Sequence, residues 1–418
     1  MILFQNARLI DPASGRDEIG DLRVRDGVID ALGGSLAAHT DEMVTDLAGA
    51  VLAPALIDLR CQADPASSGQ SGLEVTARAA AAGGFGTLVL APDAGLSAPE
   101  RFAAIDNAAL TSPVRLLPTG LLVDEDDEMG EIGLMLRAGA VLLGDGGRPI
   151  MDTRLARRAL SYASTFDAWT SLRAEEPALA RNSCAHESDL SMRLGLPARP
   201  GAGERIAVER AVALAELTGA RLLLDRISTA DGLAAVTAAR SKGLEIAATA
   251  PVTHLVFNEV DAGGYDTRYR LEPPLRSEAD RDALIHAIGR QDIAAIVSDH
   301  RACTGEAKAH PFPEAAPGAA TLEAVLPALC AMAADDRIDL IDALRAVTCG
   351  PADILGLPQG RLEPGAPADL VAFHPDTPTV YGRNGRVCTA PSAFENRRLA
   401  GKVLITLVNG AIINQPTG

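Results

Sequence analysis

Short apolar runs that alternate with helical stretches fill the chain between residues 53 and 360. Runs such as FGTLVLAP, ARLLLDRIS and IAAIVSD are continuous and apolar, which is typical of strands buried on both faces. Alanine- and leucine-rich stretches such as ERIAVERAVALAELTG lie between these runs and have the pattern of helices. This repetition of β-then-α units predicts a (β/α)₈ barrel, a TIM-like α/β fold, over residues 53–360.

Both ends of the chain have a different pattern. In residues 1–52 and 361–418, polar and apolar residues alternate within short stretches, such as DLRVRDGVIDALG and GKVLITLVNGAIIN. Residues typical of turns separate these stretches. This alternation is typical of strands with one buried face. We therefore expect one small β-sandwich domain, built from residues 1–52 plus 361–418, beside the barrel.

Length and charge exclude several classes of function. A chain of 418 residues is long enough for a barrel and a smaller domain. Its formal net charge of -17 repels phosphate backbones, so we expect no nucleic-acid partner. The sequence has no apolar stretch near membrane-spanning length and no signal peptide pattern, so we expect a cytoplasmic protein. The six scattered cysteines predict free, mostly buried thiols.

The residues that follow the predicted strands carry the functional information, because barrel enzymes place their sites at the carboxyl ends of the strands. The candidate site residues at these positions are Arg60, Gln62, Asp145, Arg173, Arg226 and Asp299. A second set of strand-end residues with metal-binding side chains consists of Cys61, His254, His300 and Cys303.

Several segments, in order along the chain, resemble those of the dihydroorotase family of the amidohydrolase superfamily. They are PALIDLRCQ (54–62), GGFGTLVLAPD (83–93), LLGDGGRP (142–149), RISTADG (226–232), GYDTRYRLEPPLR (264–276) and SDHRACTGEAKAHPFPEAAPGAATLE (298–323). The resemblance runs through essentially the whole chain. It implies a barrel that hydrolyses a cyclic amide, or forms it in reverse, with one or two zinc ions.

The chain departs from the family at the zinc ligands. The four positions that hold histidine in the family are Arg60, Gln62, Arg173 and Arg226, whereas Asp145 and Asp299 match a carboxylate ligand and the catalytic aspartate. A guanidinium stays protonated and has no lone pair for a metal. We therefore expect a catalytically inactive chain with a vestigial Asp299 and with no cofactor, in contrast to the zinc of active relatives.

Residues that match substrate contacts in the family have changed as well. The family has an arginine, two asparagines and a histidine where this chain has Asp64, Asp93, Glu272 and Cys303. Three interpretations of the arginines and histidines stay open at this point. The arginines fill the old cavity and pair with Asp145 and Asp299, or they bind an anionic effector, or His254, His300 and the nearby cysteines form a rearranged zinc site.

The resemblance also suggests a partner. Some bacterial dihydroorotase-like subunits lack the zinc-binding histidines and assemble with aspartate carbamoyltransferase. By this analogy we expect a structural partner of the aspartate carbamoyltransferase catalytic subunit in pyrimidine biosynthesis, and a homodimer. The alternative is an active dihydroorotase or cyclic amidohydrolase, converting N-carbamoyl-aspartate to dihydroorotate, that uses Asp299 as base in a rewired or metal-free site.

Overall fold

The computed structural model describes residues 1–65, 72–92, 98–124, 126–382 and 385–415. Asp93, one of the altered substrate positions, lies outside these ranges. Among the described helices, none has both the length and the apolar character needed to cross a membrane.

The strands of the described chain fall into two large sheets and one small one. In chain order they are β1 (Ile2–Asp11), β2 (Arg16–Arg25), β3 (Val28–Gly33), β4 (Met43–Asp46), β5 (Val51–Pro54), β6 (Leu56–Cys61), β7 (Phe85–Leu90), β8 (Arg115–Leu121), β9 (Leu142–Gly144), β10 (Trp169–Arg173), β11 (Ala185–His186), β12 (Ala198–Arg199), β13 (Arg221–Asp225), β14 (Ile246–Pro251), β15 (Ala295–Val297), β16 (Leu370–Val380), β17 (Arg398–Val408) and β18 (Ala411–Asn414).

The described helices all lie between the first barrel strand, β6, and the terminal strand β16. They are α1 (Gly72–Ala82), α2 (Ala98–Ala109), α3 (Ile132–Arg137), α4 (Thr153–Ser164), α5 (Pro177–Ala180), α6 (Asp189–Leu194), α7 (Ala202–Thr218), α8 (Ala230–Ser241), α9 (Val252–Val256), α10 (Glu278–Gly289), α11 (Gly305–Lys308), α12 (Val325–Ala334), α13 (Leu340–Arg345) and α14 (Cys349–Leu355). Three short 3₁₀ helices span Glu259–Gly264, Thr267–Tyr269 and Leu322–Ala324.

One eight-stranded sheet joins the two ends of the chain. Its order is β18-β17-β16-β5-β1-β2-β3, with β4 paired to β1. The junction between the ends is the antiparallel pair of β5 and β16, in which Ala53 faces Val371. A separate apolar cluster that includes Phe4, Leu52 and Leu370 covers one side of this sheet. The opposite side of its central strands is buried as well, because Ala53 and Val371 belong to the large apolar core that includes the barrel. The middle of the sheet is therefore buried on both faces, and the predicted single buried face is wrong there.

Eight parallel strands form the barrel, in the order β6-β7-β8-β9-β10-β13-β14-β15. The seam between the first and last strands is narrow: Cys61 forms an isolated bridge with His300. The N–H of Gln62 donates to the carbonyl of His300 at 2.9 Å. The N–H of Ser298 donates to the buried carboxylate of Asp58 at 3.1 Å. Side chains as well as main chain therefore close the barrel at this seam.

Local sequence explains where the barrel helices begin and end. Thr229 caps α8, because its hydroxyl accepts a hydrogen bond from the N–H of Gly232 at 3.0 Å. Gly219 ends α7 in the left-handed conformation with φ of 67°, which glycine adopts without steric cost. Both devices turn the chain sharply between helix and strand, as the short connections of a barrel require.

The predicted fold class is confirmed. Every apolar run predicted as a barrel strand contains a strand of the parallel sheet, and both ends of the chain share the other large sheet. The domain boundaries at 52/53 and 360/361 stay a prediction. All six cysteines are buried and free of disulfides, as expected.

Candidate functional site

The strand-end residues singled out in the sequence lie around the mouth of the barrel. They follow or end five of its strands: Arg60 and Gln62 at β6, Asp145 after β9, Arg173 at the end of β10, Arg226 after β13 and Asp299 after β15. Arg226 and Asp299 have positive φ angles of 60° and 46°, which residues other than glycine rarely adopt. Such backbone strain is concentrated at functional sites in proteins.

Four of the side chains at the mouth form a closed ring of ion pairs, which we call the first ion-pair ring: Arg60, Asp225, Arg226 and Asp299. Arg60 lies 3.2 Å from Asp225 and 3.3 Å from Asp299. Arg226 lies 3.0 Å from Asp225 and 3.1 Å from Asp299. Each guanidinium therefore contacts both carboxylates, and the ring has no net charge.

A second ion-pair ring has the same composition and consists of Arg173, Glu175, Arg199 and Glu272. Arg173 lies 2.9 Å from each of the two glutamates. Arg199 lies 2.6 Å from Glu272 and also pairs with Glu175. The two rings meet where Arg226 donates to the carbonyl of Glu272 at 2.7 Å.

The guanidiniums lower the pKa of one carboxylate in each ring. Burial opposes ionisation of Asp225, but Arg60 and Arg226 outweigh it and hold the pKa of Asp225 below its ordinary value. Burial also opposes ionisation of Glu272, yet Arg199 and Arg173 lower the pKa of Glu272 to about 2. A buried carboxylate is stable only with such partners, so each ring depends on all of its members.

The expected pairing of the arginines with Asp145 and Asp299 is only partly what the structure contains. Asp299 pairs with Arg60 and Arg226. The carboxylate of Asp145 instead accepts the main-chain N–H groups of Arg173 and Gly147, at 2.8 and 2.9 Å. Burial raises the pKa of Asp145. The guanidinium of Arg173 pairs instead with Glu175 and Glu272, both at 2.9 Å.

Sequence reasoning missed half of the ring members. The sequence marks Glu272 only as an altered substrate position, and it assigns no site role to Asp225, Glu175 or Arg199. One feature of the sequence does point to further members. Three strand-end arginines outnumber the two predicted carboxylates, Asp145 and Asp299, so additional acidic partners are to be expected. Nothing in the sequence shows that Arg199 and Glu272 meet, because 73 residues separate them.

Two of the candidates for a rearranged metal site have other partners. His254 donates through Nε2 to the carbonyl of Pro274 at 3.2 Å, and burial lowers its pKa to about 4. The thiol of Cys303 donates to the carbonyls of Arg301 and Pro317, at 3.6 and 3.5 Å. His300 is different, because its Nε2 lies 2.7 Å from a carboxylate oxygen of Asp64.

The cavity beside the two rings is very small. Its lining includes Arg173, Glu175, Arg199, Asp225 and Arg226, and it leaves about 20 Å³ for a water-sized sphere. One water molecule needs roughly 10–15 Å³ by this measure. The observed arrangement therefore favours arginines that fill the old cavity over arginines that hold an organic effector.

Comparison with known proteins identifies relatives along the whole chain. A dihydro-orotase-like family model matches residues 49–232, and an amidohydrolase family model matches residues 211–413. A protein named dihydroorotase from Solibacter usitatus is 33% identical over 98% of this chain and 97% of its own length. A dihydroorotase-like protein from Pseudomonas aeruginosa is also 33% identical, over 99% of both chains.

Solved structures of related enzymes share the fold. The L-hydantoinase (dihydropyrimidinase) from Arthrobacter aurescens superposes with a TM-score of 0.86 at 20% identity, covering 99% of this chain and 96% of that one. A D-hydantoinase structure gives a TM-score of 0.85 at 23% identity, with 99% and 95% coverage. At this level of identity the likeness supports the barrel and its accompanying sheet.

These matches correct one prediction. Members of the matched families normally use zinc, so the prediction that no cofactor is to be expected is wrong. The positions that hold histidine in the family do not fit the ion here, since the guanidiniums of Arg60, Arg173 and Arg226 offer it no lone pair. Elsewhere among the described residues, the atoms of Asp64, His300 and Cys388 that can bind a metal lie within 4.8 Å of one another.

Proposed function

Since this chain belongs to the dihydroorotase-like family of the amidohydrolases, we propose that it is a catalytically inactive member of that family. We propose further that it serves as a structural partner of the aspartate carbamoyltransferase catalytic subunit in pyrimidine biosynthesis. The complex would be cytoplasmic and would contain the chain as a homodimer.

The first ion-pair ring carries the proposal of inactivity. Asp299 matches the catalytic base of the family, and a base must be free to accept a proton from the attacking water. Here Oδ1 of Asp299 accepts hydrogen bonds from Arg60 and Arg226, at 3.3 and 3.1 Å, so this oxygen is not free to bind an attacking water. The cavity beside the two rings, at about 20 Å³, is also too small for a cyclic ureide substrate.

The proposed partnership is supported by what the chain has kept. The apolar core of the barrel is continuous, and both ends of the chain are joined in one sheet. Relatives named dihydroorotase-like proteins match it over 99% of their length. A chain that keeps an intact fold while its reaction centre is filled by ion pairs is suited to a structural role, and the link to aspartate carbamoyltransferase rests on the family resemblance.

Turnover assays test the proposed inactivity. Cyclisation of N-carbamoyl-aspartate and hydrolysis of dihydroorotate are measured with and without added Zn²⁺, and Asp299→Asn serves as the matched control. We expect no rate above that of the control in either direction. A rate that Asp299→Asn abolishes would establish an active dihydroorotase with a rewired site and would overturn the proposal.

Co-purification from the native source tests the partnership. We expect this chain to elute with aspartate carbamoyltransferase, and we expect transcarbamoylase activity to fall when the chain is removed genetically. If the chain elutes alone and transcarbamoylase activity is unchanged by its removal, the structural role is refuted.

A further inference from the structure

We propose that Asp64, His300 and Cys388 form a zinc site that differs in all its ligands from the former histidine positions. The inference goes beyond the proposed function and does not depend on it. The three residues come from distant parts of the chain: Asp64 follows β6, His300 follows β15, and Cys388 lies between β16 and β17. The barrel seam and the segment that leads back to the terminal sheet bring them together.

The three side chains are buried and close. Asp64 and His300 have 5% and 1% of their side chains exposed, and 4% of Cys388 is exposed. Their possible ligand atoms all lie within 4.8 Å of one another, and the distance from Nε2 of His300 to Oδ1 of Asp64 is 2.7 Å. Tetrahedral zinc with ordinary bond lengths separates its ligand atoms by about 3.3–3.7 Å. Shifts within about 1 Å would therefore complete the coordination.

The chemistry of the three ligands selects the ion. A thiolate, an imidazole and a carboxylate are the side chains that bind Zn²⁺, and the soft thiolate disfavours Mg²⁺ and Ca²⁺. A fourth position is left for water or another ligand. The guanidiniums of the two ion-pair rings are not among the ligands, so their positive charge does not exclude the ion by direct contact.

A buried atom without a partner points to a cation at this site. The Oδ2 oxygen of Asp64 is buried and has no hydrogen-bond partner. Buried polar atoms are almost always satisfied, and each exception calls for an explanation such as an ion. A cation between Asp64, His300 and Cys388 would satisfy this oxygen.

Neighbouring groups hold the three ligands in place. The N–H of Asp64 donates to the hydroxyl of Thr76 at 2.8 Å. The carboxylate of Glu323 accepts the N–H groups of Val387 and Cys388, both at 3.0 Å, and so fixes the segment that carries the thiol. Supporting contacts of this kind orient metal ligands in proteins.

Zinc binding requires the movement of two protons. Nδ1 of His300 accepts the N–H of Thr321 at 3.0 Å, so without the ion the ring proton is on Nε2 and points to Asp64. When Nε2 binds zinc, this proton is released to solvent, and Nδ1 keeps the hydrogen bond from the N–H of Thr321. The thiol of Cys388 releases its proton to solvent. Zinc binding should therefore weaken as the pH falls.

Metal loading of the full chain tests the site. The protein is stripped with a chelator and then titrated with Zn²⁺ or Co²⁺; bound metal is measured by mass spectrometry, and thiolate–cobalt charge transfer by absorption. The matched control is Cys303→Ser, since Cys303 is another buried thiol near the mouth. We expect one zinc per chain and a thiolate–cobalt band in both the wild type and this control.

The ligand variants give the decisive comparison. Cys388→Ser should lose the thiolate–cobalt band, and its affinity for zinc should fall at least about tenfold. Asp64→Asn, which is nearly isosteric, should keep the band and weaken binding, so it decides the matter if Cys388→Ser does not fold. Substoichiometric zinc in the wild type, or an unchanged band and affinity in Cys388→Ser, would overturn the proposal.

Discussion

Replacing Arg226 with methionine removes one of the two cations of the first ion-pair ring and keeps much of the side-chain volume. Arg226 is only 5% exposed and contacts Asp225 at 3.0 Å and Asp299 at 3.1 Å. It also donates to the carbonyl of Glu272 at 2.7 Å. The variant therefore leaves two buried carboxylates with Arg60 as their remaining partner in the ring.

The expected loss of stability follows from the ion pairs that Arg226→Met removes and from those that Arg60 keeps. Breaking a buried ion pair by removing one partner costs about 3–5 kcal/mol, because the other charge stays buried. Arg60 still lies 3.2 and 3.3 Å from the two carboxylates, so we place the loss near the lower end, at about 3 kcal/mol. The loss should shrink as the pH falls from 7 to 5, because a carboxylate without a guanidinium has a raised pKa and takes up a proton.

In the wild type the stabilisation by Asp225 stays intact over this range. Its pKa is lowered below the ordinary value of 3.8, so its contribution is present above that value and is lost only at more acidic pH. The pH dependence of the difference between the two proteins therefore comes from the variant.

Urea unfolding at pH 7 and pH 5, followed by circular dichroism, measures the effect. Arg8→Met is the matched control, because Arg8 pairs with Asp17 at the surface, where the two side chains are 40% and 38% exposed. Loss of an exposed pair should cost less than about 1 kcal/mol. If Arg226→Met is as stable as the control variant, or if its deficit is the same at both pH values, the ring does not act as described.

Three further substitutions test other parts of the structure. Glu272→Gln should cost about 3 kcal/mol at pH 7, since the pKa of Glu272 is about 2 instead of its ordinary 4.5. This stabilisation is present above pH 4.5 and is lost as the pH falls through about 2. The urea midpoints of the two proteins should therefore converge in acid. Gly83→Ala should lower the melting temperature, because a Cβ there would lie 2.5 Å from the carbonyl oxygen of Leu322; an unchanged melting temperature would show that the contact relaxes freely. Phe394→Ala should cost about 3–5 kcal/mol in urea unfolding, since its fully buried ring packs 4.9 Å from Phe257, and a loss below about 1 kcal/mol would contradict this packing.

The barrel could be predicted because its strands carry a local signature. The run Leu222–Leu224 in β13 is fully apolar, which is typical of a strand that is covered on both faces. The alternation in β2 likewise predicts a strand, but Asp21 and Arg23 are buried instead of exposed, because residues 36–42 cover them through hydrogen bonds. Since both signals depend on a few neighbouring residues, one sequence was enough to give the fold class.

The candidate site could be predicted only in part, because pairing depends on distances across the fold. Strand ends located Arg60 and Asp299, since all parallel strands of a barrel end at the same rim. Cys388 lies outside the strand-and-helix repeat, so no strand-end argument reaches it. Its neighbours Asp64 and His300 are 236 residues apart, and only the closed seam brings them together.

The two rings also determine how this chain would respond to histidine at the positions that hold it in the family. A single substitution such as Arg60→His would remove one positive charge and leave the two carboxylates of the first ring with one guanidinium. That intermediate loses stability at once, while Arg226 still occupies a ligand position and repels a divalent cation. The substitutions are therefore coupled, so the effect of each depends on the others. Because the arginines pair with Asp225 and Asp299, stability opposes each separate replacement of an arginine by histidine.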